Sequence, residues 1–196
     1  MPELILASGS QIRRKILEDA GIAFRVVKSN ADEDALKLSH GELTPANMAL
    51  FLAEAKASDV SQRQPNALIL AADQTMELDA QLLDKLPRRD LAPARLAAMR
   101  GKPHHLHSGL VLMLDSKTVW SHQQTSTLTV RDFSDDFLAD YLERAGDELT
   151  ASVGAYAYEG LGAHLFERVD GDFHAILGLP LLPLLAALRD QGILAR

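Results

Sequence analysis

The chain begins with an apolar run at residues 4–7 that breaks at Ser8-Gly9-Ser10, after which the hydrophobic period changes. Ile12, Ile16, Leu17 and Ala20 recur at helical spacing, with Ser10 as N-cap and Gly21 as the left-handed residue past the end. Residues 24–27 read as a short strand and residues 30–34 as an acidic loop. Thr44-Pro45 predicts the cap and first turn of a helix reaching about Ser61, with Met48, Phe51, Leu52 and Ala55 as its buried stripe. The apolar run at 67–72 lies between turn signals and predicts a strand covered on both faces, ending at Asp73. Residues 90–100 predict a helix, and 106–114 and 118–130 predict a hairpin across Asp115-Ser116-Lys117. Ser134 caps a helix that stops at Gly146, residues 165–169 read as a strand, and 181–188 form the last helix before Gly192. Strands alternating with helices predict an α/β protein with a mixed sheet.

Composition narrows the class. With 196 residues, 47% of them hydrophobic, the chain can bury a core as one domain or as one domain with two lobes. The absence of cysteine excludes disulfides, thiolate nucleophiles and cysteine-ligated metals, and fits a reducing cytoplasm. The N-terminal pattern is neither a signal peptide nor a membrane span, and the longest apolar stretch, 176–188, is broken by Gly178, Pro180 and Pro183. A net charge of −7 argues against nucleic-acid and anionic-membrane partners. The expectation is a soluble cytoplasmic protein.

The first helix carries an electrostatic contradiction. Arg13 and Arg14 fall near its third and fourth positions, where the macrodipole disfavours cations by roughly 0.3–1 kcal/mol each. A strand that runs through Ser8-Gly9-Ser10 into a helix start offers free N–H groups, two hydroxyls and a positive dipole end, which is an anion site. Guanidinium forks suit phosphate oxygens, so a bound polyphosphate would reverse the sign of the penalty. The plain alternative is two solvated arginines. On the phosphate reading, Arg13→Ala weakens substrate binding and relieves a small dipole penalty in the empty protein. The stretch is no Walker A loop, since G-x-x-x-x-G-K-[ST] is missing.

Carboxylates add to that picture. Asp73 follows the buried strand, and Asp32, Glu33 and Asp34 cluster after another. Oxygen ligands converging near phosphates suit Mg²⁺ or Mn²⁺, with Lys56 and Lys85 as balancing charge. Taken singly, such residues are solvated surface groups; together they suggest a metal-assisted nucleotide hydrolase. His104, His105 and His107 in KPHHLHSG lack a third zinc ligand, and no G-x-S-x-G elbow supports a serine hydrolase.

The order of motifs along the chain resembles the Maf-like family of nucleoside triphosphate pyrophosphatases. LILASGSQIRRKIL, DED, AEAKA, AADQT, LLDK, GAYAYEGLGAHLFERVDGD and ILGLPLLPLL cover nearly its whole length. Asp73-Gln74 and Glu159-Gly160 are similar to the 7-methyl-GTP pyrophosphatase branch, whereas the dTTP/UTP branch carries Asp-Thr and Gln-Gly. The resemblance implies one Maf-like domain over residues 1–196, a mixed elongated sheet flanked by helices, and two lobes with a nucleotide-binding cleft. It implies hydrolysis of a nucleoside triphosphate to monophosphate and pyrophosphate with a divalent cation, as a house-cleaning activity, often in a homodimer.

Residue by residue, it implies that Asp73 accepts the proton from water and that Ser8, Ser10, Arg13, Arg14 and Lys56 bind phosphates. Lys85 and Glu33 join the catalytic set, Glu33 and Asp73 hold metal, and Ile12, Gln74 and Glu159 bear on specificity. Asp84-Lys85-Leu86 replaces the family's usual Gly-Lys-Pro, and Ile12 replaces an aromatic found in some members. Alternatives that stay open are a nucleotide-sensing regulator of septum formation and a pyrophosphatase for dTTP, UTP or deaminated purine nucleotides.

Overall fold

A computed structural model describes residues 2–195. Its elements run β1 (Leu4–Leu6), α1 (Gln11–Asp19), β2 (Arg25–Val26), α2 (Glu33–Ser39), α3 (Pro45–Arg63), β3 (Leu68–Leu78) and β4 (Gln81–Leu83). They continue as α4 (Ala92–Met99), β5 (Pro103–Leu114), β6 (Lys117–Val130), α5 (Asp135–Ala145), α6 (Glu148–Ala151), β7 (Phe166–Asp170), α7 (Phe173–Ile176) and α8 (Leu181–Asp190). Among the described residues, seven strands pair in the order β2-β1-β3-β5-β6-β7, with β4 on β3. β1 is parallel to β2 and β3, while β3–β4 and β6–β7 are antiparallel, so the sheet is mixed as the sequence predicts.

Two compact units divide the chain. One comprises Met1–Gln74, His107–Gln124 and Asp172–Arg196; the other comprises Thr75–Leu106 and Thr125–Gly171. In the first unit, the period-2 geometry of β1 and β3 sorts one apolar run into two cores. Leu4, Leu6, Leu68, Leu70 and Ala72 pack with Ile16 and Leu17 of α1 and Leu184 and Leu188 of α8. Ile5, Ala7, Ile69 and Ala71 pack with Ala53, Ala57 and Val60 of α3. The small side chains of α3 let it lie close on the sheet. A Cβ on Gly109 of β5 would come within 2.6 Å of the Ala49 and Leu50 backbone.

Several expectations are corrected. β3 does not end at Asp73 but continues to Leu78, because Thr75, Met76 and Leu78 are buried and carry the strand onward. The acidic segment at 30–34 is no loop throughout: Asp32 caps α2, and Glu33 and Asp34 sit in its first turn, where the dipole favours anions. The α3 stripe is rotated toward Ala49, Ala53, Lys56 and Ala57, leaving Phe51 and Ala55 half-buried. Ala20 is exposed rather than on the buried face of α1. β4, α6 and α7 carried no pattern strong enough to be read in advance.

In the second unit, His104 of β5 is buried, with Nε2 2.7 Å from the Tyr156 hydroxyl and Nδ1 without a partner. Burial, followed by the charge of His105, pushes its pKa from the ordinary 6.5 down to about 3. The folded state therefore keeps His104 neutral where the unfolded chain already binds a proton. Stability falls as pH drops from 6.5 toward 3, by about 3 kcal/mol near pH 4.5. Urea midpoints at neutral pH and near pH 4.5 test this: His104→Gln should lose most of that pH dependence, and an unchanged slope would refute the assignment.

Candidate active site

The site in the first unit starts with the turn between β1 and α1. Ser10 caps α1, its Oγ accepting from the Arg13 N–H at 3.4 Å, so this hydroxyl is engaged with the helix. Ser8 is buried, and its Oγ accepts from the Ser10 N–H at 3.2 Å and from Arg13 Nη1 at 3.4 Å. Gly9 lies between them with the Lys28 stem against it, Cε 3.3 Å from where a Cβ would stand. Lys28 thus brings to the turn a cation that no motif singles out.

The two arginines part company. Arg13 turns inward: Nε donates to the Gly178 carbonyl at 2.9 Å and Nη1 to the Ala72 carbonyl at 2.8 Å. Burial lowers its pKa while Asp73 and Glu33 raise it, and a guanidinium stays charged throughout. Arg14 points to solvent and pairs with Glu18 one turn on, at 2.7 Å. The structure brings Arg13 into the site and leaves Arg14 on the exposed face of α1.

Opposite faces of β3 carry the next two residues. Asp73 follows Ile69 and Ala71 onto the α3 face, and Gln74 follows Leu70 and Ala72 onto the α1 face. Asp73 Oδ1 accepts from Lys56 Nζ at 2.5 Å, both residues being buried. The same ammonium lies 2.8 Å from Glu33 Oε1, which α2 brings in from its first turn. Burial pushes the Asp73 carboxyl up, against the pull of Lys56 and Arg13. Burial also raises Glu33, but Lys56, Lys37 and Arg13 together outweigh it and hold Glu33 below the usual carboxylate range.

Gln74 is fully engaged on its amine side. Nε2 donates to the Ala175 and Ile176 carbonyls at 2.9 and 3.1 Å and to Ser108 Oγ at 3.2 Å. Gly178, at φ +88°, completes this segment; a Cβ there would sit 3.2 Å from the Arg13 guanidinium and 3.5 Å from Gln74 Oε1. Arg13 and Gln74 together therefore hold the segment from Ala175 to Gly178. No side chain in that stretch announces this, since the partners are carbonyls. Ile12 is half-buried against the α1 core.

Lys85 and Glu159 belong to the second unit and are both exposed. The Lys85 loop is pinned on either side, by burial of Leu86 and by Arg95, whose guanidinium donates to the Asp84 carbonyl at 3.2 Å. Among the described residues, no group of three or more His, Cys, Asp or Glu side chains is placed to hold a metal ion, the histidines of KPHHLHSG included. No helix among them is long and apolar enough to cross a membrane.

Comparison with known proteins bears on this geometry. A nucleoside triphosphate pyrophosphatase of Maricaulis maris is 63% identical over 99% of this chain and 99% of its own length. One of Paramagnetospirillum magneticum is 48% identical over 96% of this chain and 98% of its own. A 7-methyl-GTP pyrophosphatase of Rhizobium meliloti is 44% identical, covering 97% of each. The sequence model of the Maf-like proteins matches residues 3–191. The chain belongs to the Maf-like protein family.

Proposed function

We propose that this protein hydrolyses a nucleoside triphosphate to the monophosphate and pyrophosphate, with 7-methyl-GTP preferred. The observation that carries the reading is a buried carboxylate, Asp73, coupled to two cations beside a serine-lined helix start. The names of the relatives, which print both the general and the 7-methyl-GTP activity, support it.

In this mechanism the turn from Ser8 to Ser10 and the first N–H groups of α1 bind phosphate oxygens, with Arg13 fixing the turn from behind. Asp73 accepts a proton from water as the water attacks the α-phosphorus. Its burial raises its basicity above that of a solvated aspartate, which suits a general base. Lys56 offsets the charge that builds on the departing pyrophosphate. Asp73 and Glu33, whose oxygens both contact the Lys56 ammonium, are the hard ligands that would hold Mg²⁺ or Mn²⁺. A bound dication supplies electrostatic stabilisation of the phosphate charge.

Base preference rests on Glu159. Guanine presents two adjacent donors, N1–H and the N2 amine, and a carboxylate accepts both; N7 methylation strengthens the contact by making the ring cationic. Gln74 acts more remotely, through the Ala175–Gly178 segment that its amide holds. The expected result is a kcat/KM for 7-methyl-GTP above that for dTTP by about tenfold or more, with monophosphate and pyrophosphate as products. A Gln74→Thr, Glu159→Gln double variant should narrow that ratio. Diphosphate and orthophosphate as products would refute the reaction, and an unchanged ranking would refute the specificity assignment. Nucleotide binding without turnover would point to a regulatory sensor instead.

A further inference from the structure

The Lys56 ammonium stands where the two candidate metal ligands meet. It touches Asp73 Oδ1 at 2.5 Å and Glu33 Oε1 at 2.8 Å, from a helix locked against the sheet. The local charge is already balanced: Asp73 and Glu33 face Lys56 and Arg13, and Lys37 adds positive potential at Glu33. A free dication reaching both carboxylates would add two positive charges to a neutral cluster and meet an ammonium at contact distance. Like charges at such separations repel strongly away from bulk water. A triphosphate changes that balance, because its oxygens offer Lys56 another partner and bring the missing negative charge.

We propose that Lys56 gates metal loading: it fills the position between Asp73 and Glu33 in the empty protein and moves to phosphate when nucleotide enters, so the metal binds with the nucleotide and not before it. The proposal rests on the pyrophosphatase reading of the site, but it concerns the order of binding. It assigns Lys56 a second role, that of a resident cation which keeps the carboxylates paired while the site is empty. Binding linkage makes the effect reciprocal, so the nucleotide and the metal each tighten the other.

Mn²⁺ binding tests this without turnover. Protein, Mn²⁺ and a triphosphate analogue with a non-hydrolysable α,β-bridge are mixed and passed through a membrane that retains only protein, and retained Mn²⁺ is counted by electron paramagnetic resonance. Wild-type protein should retain little Mn²⁺ alone and at least about tenfold more with the analogue. Lys56→Met should bind Mn²⁺ without nucleotide about tenfold more tightly than wild type, and adding Glu33→Gln should abolish the gain. Equal Mn²⁺ affinity of wild type with and without bound analogue would overturn the gate. So would a folded Lys56→Met variant that binds Mn²⁺ no better than wild type; should that variant fail to fold, the wild-type comparison decides. An analogue that does not bind at all would count against the nucleotide reading, and the Lys56→Met comparison would then decide the gate by itself.

Discussion

Asp73→Asn is expected to lower kcat by roughly 10²–10⁴-fold while leaving the protein folded. The two side chains have nearly the same shape, and the asparagine oxygen can still accept from Lys56, so the buried contact at 2.5 Å keeps a partner. What is lost is the capacity to take a proton. At saturating divalent metal, KM should move far less than kcat, since the phosphate contacts assigned to the turn and to Lys56 remain and Glu33 still offers the metal a carboxylate. The measurement is steady-state pyrophosphate release beside a thermal melt. A folded variant that keeps wild-type turnover would remove Asp73 from the role of base.

Arg13→Ala is expected to destabilise the protein by about 2–3 kcal/mol, the reverse of the small gain that the helix dipole alone implies. The guanidinium ties three points together: Ser8 Oγ, the Ala72 carbonyl at the end of the first-unit run of β3, and the Gly178 carbonyl. Truncation leaves two carbonyls without their donor and removes a cation from beside Asp73 and Glu33. At this chain length the loss corresponds to a fall in Tm of about 5–10 °C. Arg13→Lys should recover only part of it, because one ammonium cannot reproduce a planar fork reaching both carbonyls. A melt unchanged by Arg13→Ala would show these contacts to be without weight. Arg14→Ala serves as the contrast, since an exposed helical pair contributes only about 0.3–0.5 kcal/mol.

At Arg13 the helix dipole is only one of the forces at work. Within its own helix the cation is disfavoured, but the carbonyls of Ala72 and Gly178 accept from its guanidinium. Backbone partners far along the chain leave no mark on residue identity. The turn itself was legible, because Ser10 and Gly21 have the chemistry of a cap and of a left-handed stop. The Asp73–Lys56–Glu33 cluster was legible as a set of residue types and not as a geometry. The continuous apolar run before Asp73 hides the alternation that puts Asp73 toward α3 and Gln74 toward α1. That alternation was recoverable by counting odd and even positions from Ile69. The α3 stripe is half legible: Met48 and Leu52 are buried as the pattern predicts, while the alanines, which look like filler in a hydrophobic pattern, form much of the contact surface. α2 is not legible as a helix because its residues, EDALKLS, leave none of its side chains buried and so carry no apolar period.

Gly109 shows what such a reading omits. It carries no chemistry and touches none of the charged groups, yet the approach of α3 to β5 depends on its having no side chain. Lys56 rides on the same helix, two turns further on. Its reach to Asp73 and Glu33 is therefore set in part by the floor beneath α3. A transplant of the site into another scaffold that copied Asp73, Lys56 and Glu33 but kept an ordinary residue at the position of Gly109 would reproduce every letter of the motif. It would still hold the ammonium off its carboxylates, because the transferable unit is a spacing as much as a set of residues.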